Sequence, residues 1–135
     1  MWEPKIVLLV DDDEDVLALM RLSLELDPST CQLRVKCARN GAEALALALL
    51  ERPHLIVTDL EMPICTGQQL IAGLRRHAEL RHVPILLVSG TSRLEAIATA
   101  LDVHGWLSKP WESGALCRAV LAFLQRDGPA LSAAA

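Results

Sequence analysis

Five polar side chains stand directly after short apolar runs: Asp11 and Asp12 after KIVLLV, Asp59 after LIVT, Ser89 after ILLV, and Lys109 after WLS. Carboxylates gathered in one crevice repel one another, and a hard divalent cation bound through oxygen is the simplest offset to that repulsion. Mg²⁺ suits the set, because it takes one or two carboxylates, a carbonyl and waters, and completes its octahedral shell with phosphate oxygens. A carboxylate nucleophile in such a place is able to form an aspartyl-phosphate, and the remaining work is positioning and neutralising charge on the transferring group. Lys109 offers a point charge for that group and Ser89 a hydroxyl.

These residues meet only if the apolar runs are neighbouring strands. Lys5 to Val10, Leu33 to Cys37, Leu55 to Thr58, Ile85 to Val88 and Trp106 to Ser108 read as five strands. Between them lie stretches at helical spacing, the pattern of a parallel sheet covered on both faces. Leu17, Met20 and Leu24 mark one stripe of a helix that should stop before Pro28, and an Asn40-Gly41 turn leads into an alanine- and leucine-rich helix ending near Pro53. Later helices are expected from about Gln68 to His77, through Leu94, Ile97 and Leu101, and through Leu116, Val120 and Phe123. Five βα units with right-handed crossovers predict an α/β fold, a doubly wound five-stranded parallel sheet of flavodoxin-like order 2-1-3-4-5. In such sheets ligands bind beyond the carboxyl ends of the strands, which is where the five polar residues fall.

The chain has 135 residues, of which 52% are hydrophobic, enough for one core. Residues 1–126 are expected to form that domain, with 127–135 a flexible tail or the start of a linker, and Trp2 either packed on a sheet edge or exposed. A formal net charge of −4 argues against direct nucleic-acid binding, which needs a basic face. No apolar stretch approaches the ~20 residues of a membrane span. Cys31, Cys37, Cys65 and Cys117 lack metal-ligand spacing and read as buried reduced thiols, favouring a cytoplasmic location. His54, His77, His82 and His104 are scattered and read as surface residues.

The segments LLVDDDEDV at 8–16, LIVTDLEMPICTG at 55–67, LLVSGT at 86–91 and GWLSKPW at 105–111 resemble, in order and in placement on the elements, the four signatures of two-component response-regulator receiver domains. The likeness covers about residues 5 to 126. It implies that Asp59 is the phospho-acceptor, Asp12 the direct Mg²⁺ ligand, Asp11 a ligand acting largely through water, and the Glu61 backbone carbonyl a further ligand. It implies that Lys109 pairs with the phosphoryl group, that Lys109-Pro110 is a cis peptide, and that Ser89 and Trp106 are coupled switch positions. The phosphodonor would be a sensor histidine kinase or a histidine phosphotransfer protein, and the output an unknown protein or domain. That output would read the surface of the fourth helix, fifth strand and fifth helix, and a phosphorylation-dependent homodimer stays open.

Three residues depart from the family pattern. Trp106 is bulkier than the usual tyrosine or phenylalanine, with Gly90 beside Ser89 offering room for the indole. Glu61 puts a carboxylate at the pocket mouth, either pairing with Lys109 at rest or repelling the phosphoryl group. Trp111 replaces the commoner phenylalanine and reads as packing. Asp13, Glu14 and Asp15 are read as a helix N-cap cluster. Two other functions compete: a receiver-like interaction module that works without phosphorylation, and a haloacid-dehalogenase-like phosphatase with Asp11 as nucleophile and Asp13 as acid/base.

Overall fold

The strands alternate faces, and each face has its own set of helices. In the computed structural model, which describes residues 3–112 and 114–125, the strands are β1 Ile6–Val10, β2 Arg34–Ala38, β3 Leu55–Thr58, β4 Ile85–Ser89 and β5 Gly105–Ser108. The helices are α1 Glu14–Leu26, α2 Gly41–Glu51, α3 Gly67–Arg76, α4 Leu94–Leu101 and α5 Ala115–Leu124. All neighbouring strands are parallel and the order is β2-β1-β3-β4-β5, the expected doubly wound topology. Element bounds differ from the sequence reading by a residue or so, the usual latitude at fraying ends.

Because successive side chains of a strand point to opposite faces, Val7 and Leu9 pack with Leu17, Met20 and Leu24 of α1 and Val120 and Phe123 of α5. Leu8 and Val10 join Ala44 and Ala48 of α2, Leu70 and Leu74 of α3, and Leu94 and Ala98 of α4. β3 and β4 are buried at every position, which is why their sequences are unbroken apolar runs rather than alternating ones. Where α2 packs against α3, the missing side chain of Gly73 on α3 makes room for Leu45 of α2.

Helix starts are set by side chains that satisfy the free N–H groups of the first turn. Asp13 accepts from the Asp15 and Val16 amides ahead of α1, as expected for an N-cap, and Asn40 accepts from the Glu43 amide ahead of α2. The Asn40-Gly41 pair is thus the N-cap and first residue of α2. Thr66 and Gln69 form a capping box that begins α3.

Two histidines read as surface residues have structural roles. His54 Nδ1 accepts from the Ile6 amide at 3.0 Å, and the His54 amide returns a bond to the Ile6 carbonyl at 2.8 Å, closing the start of β1. His104 Nδ1 accepts from the Ile85 amide at 3.2 Å at the start of β4, and its ring meets Phe123 edge-on at 6.5 Å. That contact needs an unprotonated Nδ1. Burial lowers the pKa of His104 below its ordinary value of 6.5, helped by the nearby Arg75 and opposed by Asp102.

The sign of the linkage follows from the depressed folded-state value. Above pH 6.5 the contribution of His104 is present in full; as the pH falls the unfolded chain takes up the proton first, and stability is lost through the folded pKa. Replacing His104 with Asn, which keeps an acceptor but does not titrate, should flatten the fall in thermal midpoint between about pH 7.5 and about pH 5. Melting curves of the two proteins over that range, equal in slope, would exclude the assignment.

Candidate functional site

The carboxyl ends of β1, β3, β4 and β5 bring Asp11, Asp59, Ser89 and Lys109 to one edge of the sheet. The backbone ladders continue past the strands: the Asp11 amide donates to Ala38 at 3.2 Å, the Asp59 amide to Val10 at 3.0 Å, and the Lys109 amide to Ser89 at 2.9 Å. These bonds fix where each Cα sits. The side chains then meet, with Lys109 Nζ 2.6 Å from Asp11 Oδ2 and 3.2 Å from Asp59 Oδ2.

The other carboxylate oxygens are held by backbone amides. Asp11 Oδ1 accepts from the Asp13 amide at 2.9 Å, and Asp59 Oδ1 from the Leu60 amide at 2.7 Å and the Glu61 amide at 3.4 Å. Asp11 is 1% exposed and Asp59 8% exposed, whereas Asp12 is exposed at the rim. Burial by itself would lower the Lys109 pKa. The hydrogen bond to Asp11 and the charges of Asp59 and Asp11 outweigh burial, and the ammonium stands above the ordinary lysine value.

Asp11, Asp12 and Asp59 each present an oxygen within 4.8 Å of the others'. Three carboxylates against one ammonium leave a formal charge of −2, which a divalent cation would cancel. The donors are all hard oxygens, one of them solvent-facing, so a small hydrated ion such as Mg²⁺ fits the set better than a soft metal.

In the neighbourhood some expectations are corrected and others hold. Lys109 does not pair with Glu61; its partners are Asp11 and Asp59, and Glu61 is exposed. The stronger pairing wins because the two buried carboxylates lie in a low-dielectric setting and Glu61 lies in water. A Cβ on Gly90 would meet only Lys109 Cβ, at 4.0 Å, so the space beside Gly90 is open. Trp106, partly buried, packs against the cluster beneath α2, α3 and α4, and Trp111 against the α1 and α5 side. Ser89 is buried and its hydroxyl accepts weakly from the Thr91 amide at 3.5 Å; no hydrogen bond joins it to Asp59 among the described residues. The Lys109-Pro110 peptide is cis. Of the four free cysteines only Cys117 is buried; Cys31 is exposed, and Cys37 and Cys65 lie between.

Sequence reasoning missed how the loop after β3 is held. Gly67 donates its amide to the Leu60 carbonyl at 2.9 Å and Gly41 to the Cys65 carbonyl at 3.1 Å. A Cβ on Gly67 would collide with the Asp59 carbonyl oxygen and lie 2.8 Å from Leu60 Cα. The T-G-x-Q pattern at 66–69 signals the helix start, yet nothing in it shows that the glycine lies against the backbone of Asp59.

This fold and site define a receiver-type signalling domain. The chain belongs to the response regulator receiver domain family, whose model matches residues 7–121. It is 36% identical over 124 residues to the transcriptional regulatory protein PrrA of Mycobacterium tuberculosis, covering 90% of this chain and 51% of that protein. The chain thus spans about half the length of the PrrA regulators it matches. It is 32% identical over 109 residues to the sensor histidine kinase TmoS of Ectopseudomonas mendocina, covering 79% of this chain and 11% of that one. Among solved structures, the chemotaxis response regulator CheY4 of Vibrio cholerae aligns with a TM-score of 0.80 at 27% identity, covering 90% of this chain and all of that one. Receiver domains are regulatory, belong to two-component systems and typically bind Mg²⁺ at an acidic pocket of this kind. Among the described residues no helix is long and apolar enough to cross a membrane.

Substituting Gly67 with Ala tests the packing of the loop. The added methyl must displace the backbone of Asp59 or Leu60, at an expected cost of about 1–3 kcal/mol. The urea unfolding midpoint reads this directly, and an unchanged midpoint would contradict the close approach.

Proposed function

We propose that the chain is a phosphorylation switch in which Asp59 accepts a phosphoryl group, with Mg²⁺ held by Asp11, Asp12, Asp59 and the Glu61 backbone carbonyl. One observation carries the reading: the Asp59 carboxylate lies within hydrogen-bonding distance of Lys109 and beside the oxygens of Asp11 and Asp12. Nucleophile, counter-charge and metal ligands thereby share one crevice.

Each residue has a task in this reading. Backbone amides at Asp59 Oδ1 orient the carboxylate, so that one of its oxygens bonds to phosphorus as the phosphorus–nitrogen bond of a phosphohistidine breaks. The departing imidazole takes up a proton from solvent. Bound Mg²⁺ would neutralise charge on the transferring oxygens. Lys109, already between the two buried carboxylates, moves its hydrogen bonds to the phosphoryl group. Asp12 is exposed at the rim whereas Asp11 is 1% exposed, which supports Asp12 as the direct ligand and Asp11 as one acting through water.

The new charge on Asp59 then draws the Ser89 hydroxyl and the loop that follows it, and Trp106 turns inward in step. An existing equilibrium shifts, and the α4-β5-α5 surface changes for an output protein or domain, or for a second copy of the chain. The donor is a sensor histidine kinase or a histidine phosphotransfer protein. The setting is the bacterial cytoplasm. The phosphatase reading loses support because Asp13, the acid/base it requires, is engaged as the cap of α1.

Incubation with acetyl phosphate and Mg²⁺ should add one phosphoryl group by intact mass, and Asp59→Asn should abolish it. EDTA should do the same to the wild type. Lys109→Ala should slow labelling by about 100-fold or more, the scale of losing one charge-stabilising donor. Labelling that survives Asp59→Asn but needs Asp11 would favour the phosphatase; a folded, Mg²⁺-binding protein that is never labelled would favour the interaction module.

A further inference from the structure

Ile64 combines two features that a chain normally avoids. Its φ is +71°, in the region that a β-branched side chain tolerates least, and it is 85% exposed, more than any other large hydrophobic residue among the described residues. The Cys65 amide donates to the Pro63 carbonyl at 2.7 Å. An i to i+2 bond around a positive φ is the pattern of the rarer, strained form of the γ-turn. The loop is pinned on either side by the Gly41 to Cys65 and Gly67 to Leu60 backbone bonds, so the strain is held by its surroundings rather than relieved.

Neither burial nor backbone preference accounts for isoleucine here. The position does adjoin the phosphorylation site. Ile64 and Pro63 border a notch of about 290 Å³ whose other walls are Asp12, Arg39, Asn40 and Glu43. Asp59 is 8% exposed, so a donor must come down close to the protein surface to reach it. Asp12, a wall of that notch, presents an oxygen within 4.8 Å of one of Asp59's, so a protein that brings a phosphohistidine to Asp59 comes close to Ile64, whereas a small phosphodonor has no surface with which to cover it.

We infer that Ile64 is a specificity-determining contact for the protein phosphodonor: an apolar knob that inserts into an apolar socket on the donor, while the polar notch beside it receives the socket's polar edge. Burying an exposed isoleucine on docking is favourable, and a rigid turn loses little entropy when it is covered. The strained turn aims the side chain away from the body of the protein. This inference rests on the reading of Asp59 as acceptor.

The test uses the full chain with two kinds of donor: acetyl phosphate, and a panel of autophosphorylated histidine kinases of the source organism, from which the fastest donor to the wild type is taken. Ile64→Gly and Ile64→Asn accept the positive φ and remove the knob; Ile64→Leu keeps an apolar knob. Transfer from the kinase should fall about ten-fold or more with Gly and Asn and be largely retained with Leu, while acetyl phosphate labelling stays within about two-fold throughout. The thermal midpoint of Ile64→Gly should equal or exceed that of the wild type, so a slower transfer is not a folding defect. Equal kinase transfer to all four proteins would overturn the inference, as would a parallel loss with both donors or a panel in which no kinase outpaces acetyl phosphate. Failure of acetyl phosphate to label wild-type Asp59 would instead overturn the underlying switch.

Discussion

The bridge that Lys109 makes between Asp11 and Asp59 is the interaction on which the site depends. Two carboxylates almost removed from water would repel each other strongly in a low-dielectric crevice. One ammonium 2.6 Å from the first and 3.2 Å from the second holds them together. Remaining lone pairs are met by the amides of Asp13, Leu60 and Glu61, so the burial leaves no side-chain polar atom unpaired among the described residues. A charge imbalance persists even so, and it suits a divalent cation.

Much of the fold can be understood as the means of bringing those three residues together. They are 98 and 50 positions apart along the chain, and only the parallel order β2-β1-β3-β4-β5 sets the ends of β1, β3 and β5 along one rim. The sheet core, sealed on both faces, makes the strand ends rigid reference points. The loops beyond them vary in how tightly they are held. The loop after β3 is tied down by two glycine amides and a capping box, and it carries the strained turn at Ile64 on ground firm enough to sustain it.

Several features were legible from residue types because local chemistry sets them. Buried strands need unbroken apolar runs, and Leu55 to Thr58 and Ile85 to Val88 have them. Asp13 is a good cap wherever a helix begins after it. The polar residues at the run ends had to lie together once the sheet was parallel, which is why Asp11, Asp59 and Lys109 were placed together correctly. The bonding roles of two histidines were not legible. His54 and His104 look like scattered polar residues in the sequence, and their value as acceptors for Ile6 and Ile85 depends on strands that are distant in sequence.

By itself, then, the sequence determined the five apolar runs, the helix spacing between them, the caps, and the set of acidic, hydroxyl and basic residues at the strand ends. These follow from periodicity and from local hydrogen-bonding chemistry, which act over a few residues. Only the tertiary structure decided which carboxylates Lys109 joins, that Glu61 stays in solvent, that Gly67 lies against the backbone of Asp59, and that Ile64 is held at a positive φ. The reason is physical: pair energies at this rim depend on distance and burial, and both are set by elements that meet only after the chain has folded.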